Sequence, residues 1–541
     1  NYTLTHFYGD WCKEKNICRR KIHDGKERIQ SNYGFTSHNE NPVFFLERPD
    51  TNENTGEAFA ISLMYSSNFV FEIDVNKWNS TRILLGINDE DFSYCLDENE
   101  KLFLPEVIIS YSSNGRGKLS RTLHDFVRNH INRSPYTFIE RGILFNSWEG
   151  TTFDFDTKKV CDFIEHSKIL NTEVFVLDDG WFGKRNNDLA GLGDWYPNLN
   201  KLPDGIAGLS KKVNDLGLKF GLWFEPEMIS PKSKLYEEHP DWCIHIDGRV
   251  RSEARKQLIL DLSRDEVCEA VIKMITDVLK SAPISYVKWD MNRNMTEIGS
   301  TAWPAKKQKE IAHRYMLGLY KILENITSNF PNILFESCSG GGGRFDGGML
   351  YYMPQTWTSD DTDAIERLMI QEGTSLVYPT SSMGSHVSAV PNHQVHRITP
   401  LNTRGVVAMA GSFGYELDVT KMNEEEKEEV KKQVEFYKNI RSTVQFGDLY
   451  RLKSSFDSNE AAWMNLSKDG KEVVVSYVKK YAEANVIPRR LKVKALDENS
   501  LYEVIETGEV FGGDELMYIG LEIGELMGDY QAKNWTLRKV D

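Results

Sequence analysis

Residues 1 to about 138 carry short runs in which hydrophobic and polar residues alternate, with Gly, Asn and Pro between the runs. Runs at 58–65, 68–73 and 107–111 are typical of strands in an antiparallel β-sandwich. Residues 119–132 repeat their hydrophobic positions with helical spacing, which predicts a helix leading out of this domain. We therefore expect an N-terminal β-sandwich domain over residues 1–138.

Strand-like and helix-like segments alternate between residues 139 and 440. The strand-like segments are short and largely hydrophobic: 143–147, 174–177, 220–224, 257–262, 284–289, 333–337, 356–359 and 380–383. Helical spacing is clear after Ser263, which is expected to form a capping box with Glu266, and again at 311–323. These repeated units predict a (β/α)8 TIM barrel. An open, doubly wound sheet is the alternative, but the sequence lacks the Gly-rich phosphate turn after its first strand.

A charged helix is expected at 424–440, and short strand-like segments follow it. They lie at 444–446, 473–478, 489–494, 501–504 and 518–523. This pattern predicts a small antiparallel β domain over residues 441–541. The predicted fold class is thus α/β, a (β/α)8 barrel over 139–440 flanked by two β domains.

Composition excludes several classes of function. A net charge of −15 argues against nucleic acid as a partner, because phosphate binding requires a basic face. No hydrophobic run is long enough to cross a membrane, so no membrane partner is expected. The seven cysteines form no CxxC pair, which disfavours a zinc site or a disulfide framework and favours the cytoplasm. The chain starts at Asn1 within strand-like sequence, so we expect the native N-terminus to lie upstream.

Polar and aromatic residues follow almost every predicted barrel strand, where barrel enzymes build their active sites. They are Trp148, Asp178, Asp179, Trp223, Lys288, Asp290, Asn292, Cys338, Gly341, Trp357 and Asp360, and Arg255 precedes the fourth predicted strand. A charged pair at one strand end is explained equally well as a structural ion pair. Recurrence at seven positions predicts a functional site.

Two of these residues suggest cleavage of a glycosidic bond. That reaction needs an ionised carboxylate below the anomeric carbon and a protonated carboxyl beside the departing oxygen. Asp290 is the better nucleophile, because the neighbouring charges of Lys288 and Arg293 are expected to lower its pKa.

Asp360 is the better proton donor. Two like charges follow it at Asp361 and Asp363, and an indole precedes it at Trp357. Both kinds of neighbour are expected to raise its pKa. The alternative for Asp361 and Asp363 is a role as acids at the N-terminus of the next helix.

Three further motifs have their own alternatives. Asp178 and Asp179 suit vicinal sugar hydroxyls, but capping of the next helix is the alternative. The run 340–343 lacks the Gly-Lys-Ser/Thr of a phosphate loop, so its glycines are expected to let backbone approach a ligand. His393 and His396 have an H-x-x-H spacing without a third ligand, so no metal site is predicted.

Taken together, the motifs resemble the family 36 glycoside hydrolases, the bacterial α-galactosidases, over nearly the whole chain. The motifs that carry the resemblance are LDDGW at 177–181, KWDMNR at 288–293, CxxGxxR at 338–344 and WTSDDTD at 357–363. Segments GFTSH at 34–38 and GEAF at 56–59 extend it into the N-terminal domain.

This resemblance implies retaining hydrolysis of terminal α-galactosides such as melibiose, raffinose and stachyose. It implies Asp290 as nucleophile, Asp360 as acid/base and no metal or organic cofactor. The implied substrate-binding residues are Asp178 and Asp179 at galactose O4 and O6, Lys288 and Arg255 near O3 and O4, Asn292, Cys338 and Gly341 around O2, and the walls Trp148, Trp223 and Trp357. It also implies a homotetramer and a longer N-terminal sandwich, so residues 1–138 are expected to be a truncated form.

Other activities remain open at this stage. A galactosyltransferase of the raffinose- or stachyose-synthase kind shares the barrel and both carboxylates. An α-N-acetylgalactosaminidase is a further alternative, although Cys338 and Gly341 indicate little space at O2. A binding module without catalysis is disfavoured, because Asp290 and Asp360 are both present.

Overall fold

The structure is a computed structural model that describes residues 2–487 and 489–540. In this part of the chain, the N-terminal domain has strands β1 (Thr3–Tyr8), β2 (Asn16–Lys21), β3 (Gly25–Gln30), β4 (Glu40–Glu47), β5 (Ala58–Met64), β6 (Phe69–Val75), β7 (Thr81–Ile87) and β8 (Glu106–Ser112). They form two antiparallel sheets, in the orders β2-β1-β4-β5-β8 and β3-β6-β7. The predicted sandwich is present.

The sandwich packs firmly against the barrel. Phe44 of β4 and Phe71 of β6 meet edge to face at 5.0 Å, and they belong to the same buried cluster as Tyr315 of a barrel helix. The Tyr65 hydroxyl also hydrogen-bonds His313 Nδ1 of that helix at 2.8 Å. Hydrophobic packing and a hydrogen bond therefore both join the sandwich to the barrel.

A helix joins the two domains, as the sequence predicts. Helix α1 (Gly115–Phe126) continues as a π-helical turn (Val127–Ile131), and a short 3-10 turn (Pro135–Phe138) follows. Leu119 and Leu123 are buried on the side that faces the sandwich and the barrel.

Parallel strands close into the predicted barrel. Among the described residues these eight are β9 (Leu144–Asn146), β10 (Val174–Leu177), β11 (Lys219–Phe224), β14 (Tyr286–Trp289), β15 (Leu334–Ser337), β16 (Gln355–Trp357), β17 (Met383–Ser388) and β18 (Ser412–Glu416). Every residue of β14 is buried, Lys288 included, so its ammonium group must point into a polar site.

Helices follow the barrel strands along the chain. They are α2 (Trp148–Thr151), α3 (Thr157–Ile169), α4 (Gly205–Asp215), α5 (Lys234–Glu238), α6 (Asp265–Ser281), α7 (Ile311–Asn329), α8 (Gly347–Tyr352), α9 (Ala364–Ser375), α10 (Leu401–Ala408) and α11 (Glu424–Phe446). In α6, Val267, Val271 and Ile275 are buried, in agreement with the helical spacing. The predicted capping box is wrong: α6 starts at Asp265, and the Ser263 hydroxyl donates to Asp261 instead.

The sequence misplaces two barrel strands. Segment 257–262 lies outside the barrel, where β13 (Leu258–Ile259) pairs antiparallel with β12 (Met228–Ile229). Segment 380–383 is mostly a 3-10 turn (Thr380–Ser382) that precedes β17. The eighth strand is β18, whose sequence SFGYE holds a glycine and two polar residues. Such a strand lacks the run of β-branched residues on which strand prediction rests.

The C-terminal domain is the expected antiparallel β domain. Its elements in the described residues are β19 (Asp448–Lys453), β20 (Glu460–Leu466), β21 (Glu472–Lys479), β22 (Arg490–Leu491), β23 (Leu501–Val504), β24 (Glu509–Gly512), α12 (Gly513–Tyr518), β25 (Leu521–Glu522) and β26 (Gln531–Val540). The main sheet has the order β19-β20-β21-β26-β23-β24, and β22 pairs with β25. Helix α11 runs to Phe446, so the strand predicted at 444–446 is wrong. The division at residue 440 stays a prediction. None of the helices described is both long and hydrophobic enough to cross a lipid bilayer.

Candidate active site

A cavity of about 720 Å³ opens at the C-terminal ends of the barrel strands. Ten of the twelve predicted site residues line it: Trp148, Asp178, Asp179, Trp223, Arg255, Lys288, Asp290, Asn292, Trp357 and Asp360. Cys338 and Gly341 lie behind the wall that Ser339 and Gly340 form, with the Gly341 N–H 3.4 Å from Cys338 Sγ. The structure therefore brings all twelve to one place.

Asp290 follows β14 and is surrounded by hydrogen-bond donors. Its Oδ2 accepts from Trp223 Nε1 at 3.1 Å and from Asn292 Nδ2 at 2.8 Å. Its Oδ1 accepts from the backbone N–H groups of Met291 at 2.8 Å and Gly340 at 3.4 Å. Donors on both oxygens stabilise the ionised carboxylate.

The pKa of Asp290 lies below its ordinary value. Burial acts to raise it, but the charge of Lys288 and hydrogen bonds from Asn292 and Cys338 outweigh burial. The predicted contribution of Arg293 is wrong, because its guanidinium donates to the backbone carbonyls of residues 252 and 257. The direction of the pKa shift is as predicted, with Lys288 as its cationic cause.

Asp360 follows β16 and shares the cavity with Asp290. Burial, followed by the negative charge of Asp290, raises the pKa of Asp360 to about 6. Its Oδ2 accepts from Trp11 Nε1 at 2.9 Å, and this bond acts in the opposite direction. The predicted effect of Asp363 is not among these causes, because Asp363 caps α9 by accepting from the backbone N–H groups of residues 365 and 366. Asp363 is therefore the helix N-terminal acid of the alternative interpretation.

Asp178 pairs with Lys288 across the barrel floor. Asp178 Oδ2 accepts from Lys288 Nζ at 3.0 Å and from Asn146 Nδ2 at 2.7 Å. Burial alone would lower the pKa of Lys288, but the charges of Asp178 and Glu416 hold it above its ordinary value. Lys288 therefore stays an ammonium group that can donate to a ligand.

Asp179 is held by an arginine that the sequence prediction missed. Arg185 is fully buried, and it donates from Nε to Asp179 Oδ1 at 3.0 Å and from Nη2 to Oδ2 at 2.8 Å. This fork leaves the outer lone pairs of the carboxylate for hydroxyl groups. Asp178 and Asp179 are thus committed to side chains in the site, which excludes the helix-cap alternative.

Aromatic rings form much of the cavity wall. Trp357 lies near two cations, with Arg367 4.8 Å and Lys288 5.6 Å from its ring centre. Trp148 meets Phe153 edge to face at 5.2 Å. Arg255 lies in a loop, has a φ of +52° and lines the cavity. The strand predicted after it lies outside the barrel.

Several cavity residues escaped prediction. Trp11 comes from the loop after β1, 349 residues before Asp360, and no local signal links the two. Glu149 directly follows Trp148 and accepts from Thr362 Oγ1 at 2.7 Å; burial and then the charge of Glu416 raise its pKa to about 8. Glu416 is the last residue of β18, which the sequence does not predict as a strand. Recognition of that strand would have identified Glu416 as a residue at its C-terminal end.

Two buried glutamates, Glu225 and Glu227, follow β11. Glu225 Oε1 accepts from the backbone N–H of Asn292 at 2.7 Å, and burial followed by the charge of Asp290 raises its pKa to about 8. Glu227 accepts from Arg344 Nη2 at 2.7 Å deep in the barrel. In the part of the chain that is described, no group of three or more His, Cys, Asp or Glu side chains is arranged to hold a metal ion.

Family models match almost the whole chain. The glycosyl hydrolase family 36 N-terminal domain matches residues 1–97, Melibiase matches 102–447, and the glycosyl hydrolase family 36 C-terminal domain matches 460–537. The chain belongs to glycosyl hydrolase family 36. The fold class and the enzyme class predicted from the sequence, a glycoside hydrolase of the α-galactosidase type, are confirmed.

Individual family 36 members are close in sequence and structure. Alpha-galactosidase AgaA from Geobacillus stearothermophilus is 53% identical over 540 residues, which cover 100% of this chain and 74% of that protein. Alpha-galactosidase Mel36A from Lactobacillus acidophilus is 46% identical over 533 residues, covering 98% of this chain and 73% of that protein. A crystal structure of an AgaA variant in complex with raffinose matches with a TM-score of 0.98 at 52% identity, covering 100% of this chain and 75% of that one.

Proposed function

We propose that this chain hydrolyses terminal non-reducing α-D-galactosyl residues with retention of configuration, using Asp290 as nucleophile and Asp360 as acid/base. The observation that carries the proposal is the pair of carboxyl groups on one cavity with pKa values pushed in opposite directions. The pKa of Asp290 is lowered and that of Asp360 is raised to about 6. A retaining glycosidase needs this combination of an ionised and a protonated carboxyl group.

In the first step an Asp290 oxygen attacks the anomeric carbon while Asp360 gives its proton to the glycosidic oxygen. The bond from the anomeric carbon to that oxygen breaks, the leaving sugar departs as an alcohol, and a β-galactosyl ester of Asp290 remains. In the second step the ionised Asp360 removes a proton from water as the water oxygen attacks the same carbon. The ester bond breaks, Asp290 is regenerated, and α-galactose is released.

The remaining polar residues are proposed to bind the galactosyl hydroxyls. Asp178 and Asp179 would accept from O4 and O6, and Lys288 and Arg255 would donate to O3 and O4. Asn292, next to Asp290, and Cys338 and Gly341 behind it would border O2, with Trp148, Trp223 and Trp357 as walls. Complexes of related enzymes with raffinose and stachyose support these two α-galactoside oligosaccharides as substrates, and melibiose is proposed as a third.

Two wider predictions remain part of this proposal. All seven cysteines are free thiols, which supports a reducing compartment such as the cytoplasm. A homotetramer stays a prediction.

Hydrolysis of 4-nitrophenyl α-galactoside by the wild type and by Asp290→Ala tests the nucleophile. The variant is expected to lose at least about 10³-fold in kcat while keeping its melting temperature within a few degrees. Azide should restore turnover and give β-galactosyl azide, because a small anion can attack from the vacated face. Asp261→Ala is the matched control, since this buried carboxylate bonds Ser263 and Ser300 outside the cavity. Near-normal turnover by Asp290→Ala would refute the assignment.

A further inference from the structure

The loop between β1 and β2 reaches from the sandwich into the barrel mouth. This β1–β2 loop, residues 9–15, delivers three side chains to the turns that follow β15 and β16. Trp11 Nε1 donates to Asp360 Oδ2, and Lys15 Nζ donates to the carbonyl of Gly342 at 3.4 Å. Between these two, Glu14 accepts from Ser359 Oγ at 2.5 Å.

Glu14 is a carboxylate shut away from solvent. Its side chain is 1% exposed, Oε2 takes the Ser359 bond, and Oε1 has no hydrogen-bond partner among the described residues. Burial raises the pKa of Glu14 to about 7, against the bond from Ser359. Burial of a carboxylate is costly, and a hydrophobic residue of similar volume would join two domains equally well or better. The observed contact therefore favours a role in the site that Ser359 adjoins.

Ser359 links Glu14 to the turn that carries Asp360. A hydroxyl has one proton to give, and Ser359 gives it to Glu14, which leaves its lone pairs to accept from the backbone N–H of Asp361 at 3.0 Å. The Ser359 hydroxyl thus connects the residues before and after Asp360. If Glu14 no longer accepts, this hydroxyl is free to rotate, and the turn loses one of its fixed points.

Packing around Gly341 shows how closely these parts meet. A methyl group added there would lie 2.6 Å from the Asp360 backbone nitrogen, 2.7 Å from Ser359 Cα and 2.9 Å from Glu14 Oε1. The β1–β2 loop, the turn after β15 and the Asp360 turn therefore converge within van der Waals contact. Glu14 itself does not line the cavity, so it acts through Ser359 rather than on the substrate.

We propose that Glu14 is a positioning residue for catalysis, which holds Ser359 and thereby aims the Asp360 carboxyl at the glycosidic oxygen. The inference rests on the proposed function of Asp360 and adds the N-terminal sandwich to the catalytic apparatus. A displacement of about 1 Å at a proton donor is enough to slow a reaction by up to about 10²-fold. The effect should appear where protonation of the leaving group matters.

The test compares kcat/KM on two substrates, raffinose and 4-nitrophenyl α-galactoside. Raffinose has a poor leaving group that needs the acid, whereas 4-nitrophenolate leaves with little assistance. Glu14→Met, which fills the space without an acceptor, is expected to lose about tenfold or more on raffinose and less than about twofold on the aryl substrate. Ser359→Ala should give the same ratio, and the double variant should be no worse than either single one. Glu14→Gln keeps an acceptor oxygen and should restore most of the raffinose activity.

The ratio of the two kcat/KM values is independent of the fraction of folded enzyme. Glu47→Gln is the matched control: Glu47 is a buried carboxylate of the same sandwich, held by Arg19 and Arg116, and its loss should leave the ratio unchanged. Equal losses on both substrates, or no loss, in Glu14→Met would overturn the proposal. If Glu14→Met does not fold, an unchanged ratio in Ser359→Ala overturns it instead. Asp360→Ala belongs in the same panel, because normal raffinose turnover by that variant would overturn the proposed function itself, whatever Glu14 does.

Discussion

The hydrogen bond from Trp11 to Asp360 predicts that its removal extends activity to higher pH, whereas simple damage to the site would only lower activity. Trp11 Nε1 donates to the ionised form of Asp360 at 2.9 Å and so lowers the pKa of that carboxyl. Trp11→Phe keeps an aromatic ring and removes the donor. The pKa of Asp360 should therefore rise above its present value of about 6, and the enzyme should stay active to higher pH.

The magnitude follows from the strength of the bond and its exposure. A hydrogen bond to a charged group contributes about 1.5–3 kcal/mol, and one pKa unit corresponds to about 1.4 kcal/mol, so a fully buried bond would shift the pKa by about one to two units. The Trp11 side chain is 55% exposed, so water can replace part of the lost bond. We expect an upward shift of about 0.5–1 unit.

The assay is kcat/KM on raffinose as a function of pH, because its limbs report ionisations of the free enzyme. The limb at higher pH, where Asp360 loses its proton, should move up, and the limb at lower pH, which Asp290 sets, should stay in place. Trp78→Phe is the matched control, an exposed tryptophan in the turn between β6 and β7. A high-pH limb that stays in place or moves down in Trp11→Phe would show that this bond does not set the acidity of the proton donor.

Two further substitutions test the packing and the charge of the site. Gly341→Ala places a methyl group 2.6 Å from the Asp360 backbone nitrogen and should reduce kcat/KM at least tenfold. Gly217→Ala is the control, because Gly217 has a similar φ of +76° and a methyl group there would meet only Lys168 Nζ, at 3.8 Å; it should cost about 1 kcal/mol of stability and leave kcat/KM intact. Comparable kcat/KM values for the two variants would contradict the packing argument. Asp178→Asn leaves the buried Lys288 ammonium group without the carboxylate it donates to, and it should reduce the free energy of unfolding in urea by about 3 kcal/mol. The control Asp156→Asn, at the N-terminus of α3, should cost less than about 1 kcal/mol. Equal losses in the two variants would show that the buried pair does not contribute strongly to stability.

Most of the barrel was predictable because its strands are hydrophobic runs that end in polar residues. Strand β14 shows why: a fully buried strand holds Lys288, which only a polar site can satisfy. Strand β18 is not predicted from the sequence because SFGYE carries a glycine and polar ends. Its burial is imposed by its neighbours in the barrel. Segment 257–262 is hydrophobic for another reason, since β13 is buried where it pairs with β12 outside the barrel.

Contacts between residues far apart in the sequence limit how much of the candidate site can be predicted from the sequence. The neighbours in sequence predict the direction of both carboxyl pKa shifts, but two of the neighbours named as causes do not act as predicted. Arg293 donates to backbone carbonyls, and Asp363 accepts from backbone N–H groups at the N-terminus of α9. The real partners of Asp360 are Asp290, 70 residues earlier in the chain (360 − 290), and Trp11 in another domain. No local pattern encodes such contacts, since they depend on how the sandwich docks.

The electrostatic link between Asp290 and Asp360 also explains how one carboxyl group can serve first as acid and then as base. In the free enzyme the negative charge of Asp290 is the second cause, after burial, that raises the pKa of Asp360. In the proposed cycle that charge disappears when Asp290 becomes an ester. The pKa of Asp360 must then fall, because Lys288, Arg255 and the Trp11 bond still act to lower it. Asp360 is therefore ionised while the ester is present, and the ionised carboxylate is the form that can accept a proton from the attacking water. Hydrolysis of the ester restores the negative charge on Asp290, which raises the pKa of Asp360 again and returns it to the protonated form that the next glycosidic oxygen requires.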